Sequence, residues 1–213
     1  MNPGFWRQKW ARNEIAFHKS EANPALVKHF SSLALSPGAR VFVPLCGKTL
    51  DIAWLLTQGY PVAGAELVET AIAQLFDELG VEPTITPVEN ALHYRAQKFN
   101  QHLDIFVGDV LELSAKTLGP VDAVYDRAAL VALPQEIRDR YTQHLVEITA
   151  GAPQLLVAFD YDPALMSGPP FAISAEEVER QYGDRYALSL LERYPLPTGL
   201  KGNAAQVNVW KLG

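Results

Sequence analysis

Cysteine is nearly missing: Cys46 is the only one in 213 residues. No disulfide can form within the chain, and a reducing compartment suits it. An excess of basic charge is missing too, since 18 Lys and Arg stand against 24 Asp and Glu for a formal charge of −6. The cations are scattered, so no field gathers the phosphates of a duplex, and nucleic acid is not the expected partner. No apolar run approaches the roughly 18 residues that span a bilayer, and the first residues lack the basic-then-apolar order of a secretion signal. These absences predict a cytoplasmic protein with no membrane partner. Cys46 and the five histidines show no metal-ligand spacing, so no metal is expected. Of a Gly-x-Gly-x-x-Gly fingerprint only Gly47 is present, and Lys48-Thr49 lacks the glycine pair of a phosphate loop, which argues against nucleoside triphosphates.

What is present is 48% hydrophobic content in a length that suits one substantial core, so residues 1–213 are expected to form a single domain. Val41-Phe-Val-Pro-Leu45 is short, apolar and β-branched, as a strand buried on both faces should be. A helix from Thr49 to Gly59 and a second strand from Pro61 to Glu66 follow, then a helix with Ile72, Leu75, Phe76 and Leu79 on one face. Further strands are expected at 103–107, 121–125 and 154–159, with a helix from Pro134 before the last of them. Segments 186–191 and 206–210 read as an antiparallel pair at one edge. A further helix is expected from Asn23 to Leu33, and another from the capping pair Ser174 and Glu177. Between 81 and 101 the periodicity weakens around Pro83 and Pro87, and a hairpin excursion is expected. The sum is an α/β, doubly wound, mostly parallel sheet.

Ligands of such sheets bind beyond the carboxyl ends of the strands. Glu66, about twenty residues after the first strand, can accept hydrogen bonds from both hydroxyls of a ribose, or it can be a solvated acid ahead of a helix. Gly47 lets backbone approach a ligand or merely makes a turn. Asp109 can reach an adenine amine with Val110 covering the ring, or it can cap a helix. Arg127 directly follows an apolar strand and faces either a ligand or a structural partner, Asp126. Trp6 and Trp10 share a helical face near Phe5 and Phe17, as a packing stripe or as an aromatic lid over residues 1–22. His18 is a proton carrier or an ordinary loop histidine.

Taken together, Phe5-Trp6 with Trp10, Phe17-His18, Val43-Pro-Leu-Cys-Gly-Lys48, Gly64-Ala-Glu66, Tyr125-Asp-Arg-Ala-Ala-Leu-Val-Ala132, Tyr161-Asp-Pro and Gly168-Pro-Pro-Phe171 resemble the bacterial thiopurine S-methyltransferase family over nearly the whole chain. That resemblance implies a seven-stranded methyltransferase sheet with its last strand antiparallel, and S-adenosylmethionine as cofactor. It implies cofactor contacts from Trp10, Leu45, Glu66 and Arg127, with Gly47 at the turn, and places Asp109 and Val110 at the adenine. Phe17 and Arg127 are expected to meet a small thiol substrate. The segment Thr198-Gly-Leu-Lys-Gly-Asn203 departs from the eukaryotic members, which carry an arginine near their end, and this bears on substrate preference.

The implied reaction is in-line transfer of a sulfonium methyl to sulfur, for which alignment and exclusion of water matter most. No catalytic residue is identified; Arg127 has an electrostatic role open to it, and His18 or Asp126 could take a proton. Rival readings are methylation of another small acceptor, such as a selenium or tellurium oxyanion, a nicotinamide-dependent oxidoreductase, or a nucleoside-binding protein without turnover. A monomer is expected, because no helix face carries a surplus apolar stripe.

Overall fold

In a computed structural model, residues 3–213 are described; Met1 and Asn2 of the expected lid segment lie outside them. The strands are β1 (Val41–Pro44), β2 (Val62–Glu66), β3 (Thr84–Val88), β4 (Ala91–Lys98), β5 (Gln101–Val107), β6 (Ala123–Arg127), β7 (Gln154–Asp160), β8 (Leu188–Pro195) and β9 (Gln206–Leu212). The helices are α1 (Pro3–Ala11), α2 (Pro24–His29), α3 (Leu50–Thr57), α4 (Glu69–Leu79), α5 (Ala115–Leu118), α6 (Gln135–Ile148) and α7 (Ala175–Tyr182). One sheet runs in the order β3-β4-β5-β2-β1-β6-β7-β9-β8. Its centre, β5-β2-β1-β6-β7, is parallel. The seven strands expected are all there, and the excursion between 81 and 101 is the β3–β4 hairpin, which adds two strands by pairing antiparallel to β5. At the other side the antiparallel strand β9 is not outermost: it lies between β7 and β8.

Period-2 alternation along the central strands feeds two separate cores. Val41, Val43, Val62, Leu103 and Ile105 face α2, α3 and α4, where Leu26, Ile52, Leu55, Ile72 and Leu75 are buried. Phe42, Ala63, Val124 and Leu156 face the other way, against Leu118 of α5, Tyr141 and Leu145 of α6, and Val178 of α7. Each fully buried Leu or Ile stabilises the fold by about 1.5–3 kcal/mol. Central strands covered on both faces need apolar side chains at every position, and β1 and β2 are buried throughout.

Caps and turns show where local signals were obeyed. Asn23 accepts from the Ala25 N–H at 2.9 Å and Pro24 opens α2, but the expected helix to Leu33 ends at His29 and tightens into a 3₁₀ turn over Phe30–Leu33. Ser174 accepts from the Glu177 N–H at 3.2 Å. The reciprocal half of that box is replaced, because the Glu177 carboxylate turns to Arg180 at 2.9 Å and Arg138 at 3.3 Å. The strand expected at 121–125 is shifted to 123–127, which carries Arg127 to the last position of β6.

The order of strands reverses at β1, with β2 and β5 to one side and β6 and β7 to the other. The carboxyl ends of β1, β2 and β6 therefore frame the switch point at which such sheets bind ligands.

Candidate active site

Beyond β1 the chain turns sharply. Leu45 has φ 48°, a left-handed conformation that side chains rarely adopt, and Gly47 follows with φ 51°. A non-glycine residue held there costs about 1–3 kcal/mol and is characteristic of functional turns. The turn is pinned to β2 because the Cys46 N–H donates to the Ala65 carbonyl at 3.0 Å. It then aims the Gly47 N–H at the Glu66 side chain. Glu66 Oε2 accepts from Gly47 N at 2.9 Å, and Oε1 accepts from Val68 N at 2.9 Å. Burial raises the Glu66 pKa, and the N–H groups of Val68, Gly47 and Leu67 hold it down in opposition. An ionised carboxylate has about four acceptor positions, so these three N–H groups leave it acceptor capacity for a further donor.

Helix α1 brings Trp10 over this turn. Trp10 is buried, in a cluster with Val68 and Ala71 that Trp6, Ile15, Phe17 and Leu67 complete. A Cβ added at Gly47 would lie 3.0 Å from the Trp10 ring, and at positive φ besides, so glycine is required for both reasons. Phe17 packs edge-on against Trp10 and Trp6 at 5.7 and 6.0 Å between ring centroids. The Phe17 carbonyl in turn accepts from Arg127 Nη1 at 3.2 Å. Glu66, Gly47, Trp10, Phe17 and Arg127 are thus joined by one unbroken run of contacts across the ends of β2, β1 and β6.

The third strand end joins the same place. The Gly108 N–H donates to the Glu66 carbonyl at 2.9 Å, and Asp109 and the buried Val110 follow directly. Asp109 Oδ1 accepts from the Leu111 N–H at 3.0 Å, so the capping reading of this acid is realised. A depression beside it is lined by Ala65, Asn90, Phe106, Gly108, Asp109 and Val110. Asn90, from the β3–β4 turn, was missed in sequence because nothing local shows that the excursion folds back along β5 and brings its turn against Gly108.

Two expectations are corrected. Asp126 is neither the partner of Arg127 nor a base at the site. Its side chain points to the opposite core, where Oδ1 accepts from Leu130 N at 3.1 Å and Oδ2 from the Tyr141 hydroxyl at 2.7 Å. The pleat forces this, because adjacent residues of a strand face opposite ways. Arg127 consequently forms no ion pair among the described residues. Lys48, near the turn, is paired with Glu78 at 2.6 Å.

The family model described as "Thiopurine S-methyltransferase (TPMT)" matches residues 1–209. The chain belongs to that family. Among its members, the thiopurine S-methyltransferase of Xanthobacter autotrophicus is 52% identical, over 100% of this chain and 99% of its own. That of Teredinibacter turnerae is 48% identical over 100% and 97%. Solved structures add the fold: a Burkholderia thailandensis 1,6-didemethyltoxoflavin-N1-methyltransferase with bound S-adenosylhomocysteine superposes with a TM-score of 0.66 at 15% identity, covering 99% of this chain and 86% of that one. The family's sheet is therefore the α/β sheet of S-adenosylmethionine-dependent methyltransferases. No described helix is long and apolar enough to cross a membrane.

Proposed function

We propose that the protein transfers the methyl group of S-adenosylmethionine to the sulfur of a thiopurine or a similar small heterocyclic thiol. The observation that carries this reading is Glu66: a buried carboxylate at the end of β2, fixed by the backbone N–H groups of Gly47, Val68 and Leu67, with acceptor capacity left over. A fixed carboxylate with acceptor capacity left over suits the hydroxyls of a ribose. The Gly47 turn, with Trp10 packed over it, borders this acid, and the residues present fit the group.

When bound, S-adenosylmethionine supplies an activated methyl on a positively charged sulfur. The chain's own task is then orientation. Glu66 and the Leu45–Gly47 turn hold the nucleoside; Asp109 and Val110 border the adenine; the Trp10 face attracts positive charge and, with Phe17, keeps water out. Arg127, with no carboxylate partner among the described residues, serves an anion at the junction, either the donor's carboxylate or the acceptor's thiolate. Residues 3–22 act as the aromatic lid of a single domain.

Calorimetric titration with S-adenosylmethionine, followed by mass detection of methylated 6-mercaptopurine, tests the reading. Saturable binding with a product heavier by one methylene is expected. Binding without a methylated thiol overturns the assignment of acceptor, and turnover of selenium or tellurium oxyanions beside it would show which acceptor replaces it.

A further inference from the structure

His18 has no part in the contacts described so far, yet it stands beside them. Its backbone N–H donates to the Ile15 carbonyl at 2.8 Å, which closes the turn after Phe17. Its neighbour's carbonyl is held by Arg127 at 3.2 Å. The ring nitrogen Nδ1 is buried and has no hydrogen-bond partner among the described residues. An unpaired buried nitrogen costs about 1–3 kcal/mol, and such orphans point to an absent ligand or a functional role.

We propose that His18 is the proton acceptor for the thiol substrate. This rests on the thiol-methylation reading above. As the acceptor sulfur bonds to the methyl carbon, its S–H bond breaks and the proton passes to the imidazole. The C–S bond of the donor breaks with its electron pair, leaving a neutral thioether, and the imidazolium later releases the proton to water. No oxidant or further reactant is needed.

The surroundings set the protonation state from which the ring starts. Lys48 from the turn after β1, Glu78 from α4 and Arg127 from β6 are the charged groups that bear on the ring. Burial first, and then Lys48 and Arg127 against the opposing pull of Glu78, hold His18 below its ordinary 6.5. The imidazole is therefore neutral at neutral pH and able to accept a proton. Lys48 is itself paired with Glu78, so Arg127 is the positive charge left to stabilise the thiolate as it forms.

The test compares the wild type with His18→Gln on two acceptors across pH: 6-mercaptopurine, and 4-nitrothiophenol, which is already ionised at neutral pH. Affinity for S-adenosylhomocysteine, unchanged in the variant, certifies the fold. With 6-mercaptopurine near pH 6 the variant should lose about tenfold or more in kcat, and the loss should close as pH rises and the thiol ionises by itself. With 4-nitrothiophenol kcat should barely change. An equal loss on both acceptors, or an unaltered pH profile with 6-mercaptopurine, would overturn the proposal and make His18 a packing residue. A wild type that methylates neither thiol would instead overturn the function on which the proposal stands.

Discussion

Glu66 and Asp126 are both buried carboxylates near the ends of parallel strands, β2 and β6, that flank β1. Their environments separate them. Glu66 is 8% exposed, and its partners are N–H groups of turns beyond the sheet; Asp126 is 0% exposed, and its partners are Leu130 N and the Tyr141 hydroxyl inside the core beneath α6. Burial raises the pKa of both, Asp126 to about 6. A buried acid at a strand end is therefore a ligand candidate only when its fixed partners leave acceptor positions facing outward. Otherwise it is a structural brace.

The largest effect should come from breaking the brace. Asp126→Ala leaves the Tyr141 hydroxyl and the Leu130 N–H unpaired, and should cost about 3 kcal/mol in urea unfolding while S-adenosylhomocysteine affinity of the folded fraction holds. The isosteric Asp126→Asn sharpens the point through pH. Because the folded-state pKa lies above the ordinary 3.8, the native protein binds more protons than the unfolded chain between 3.8 and about 6. Stability of the wild type relative to this variant should thus fall as pH rises through that window and level off above it. A flat difference would show that Asp126 titrates normally.

Glu66→Ala should act on the other quantity. Cofactor binding should weaken by about 1–3 kcal/mol, read as a fall in S-adenosylmethionine affinity by calorimetry. Undiminished affinity in a folded variant would remove the carboxylate from the ligand and erase the contrast with Asp126. The smallest effect is expected at Asp109, which caps Leu111 yet borders the proposed adenine position. Asp109→Ala should lose about 1 kcal/mol of stability, recovered by Asp109→Asn, which can cap as well. Affinity lost in both variants would place Asp109 with Glu66, and affinity retained in both would place it with Asp126.

Much of this was readable along the chain. The stripe Ile72, Leu75, Phe76 and Leu79 faces the core as its spacing requires, and the turn at Leu45–Gly47 does meet Glu66. Those features are local, set by helical period, strand alternation and turn chemistry. What was misread depends on partners. The β6 boundary moved by two residues because pairing with β1 and β7 decides where a strand ends. The antiparallel pairing of β8 with β9 at one edge was read correctly, but that β9 rather than β8 is the strand joined to β7 is a choice no single segment encodes. Asn90 reaches the depression beside Asp109 from the turn of the β3–β4 hairpin, about twenty residues away along the chain.

Residue order alone determined the alternation of strand and helix, the glycine in the first turn and the acid that closes the second strand, because each follows from backbone geometry over a few neighbouring positions. Only the tertiary structure decided that Trp10, Phe17 and Arg127 join them, that Asp126 turns inward, and that His18 keeps a ring nitrogen without a partner among the described residues. Those outcomes depend on which surfaces meet when the sheet closes, and contacts across a hundred residues leave no periodic mark in the chain.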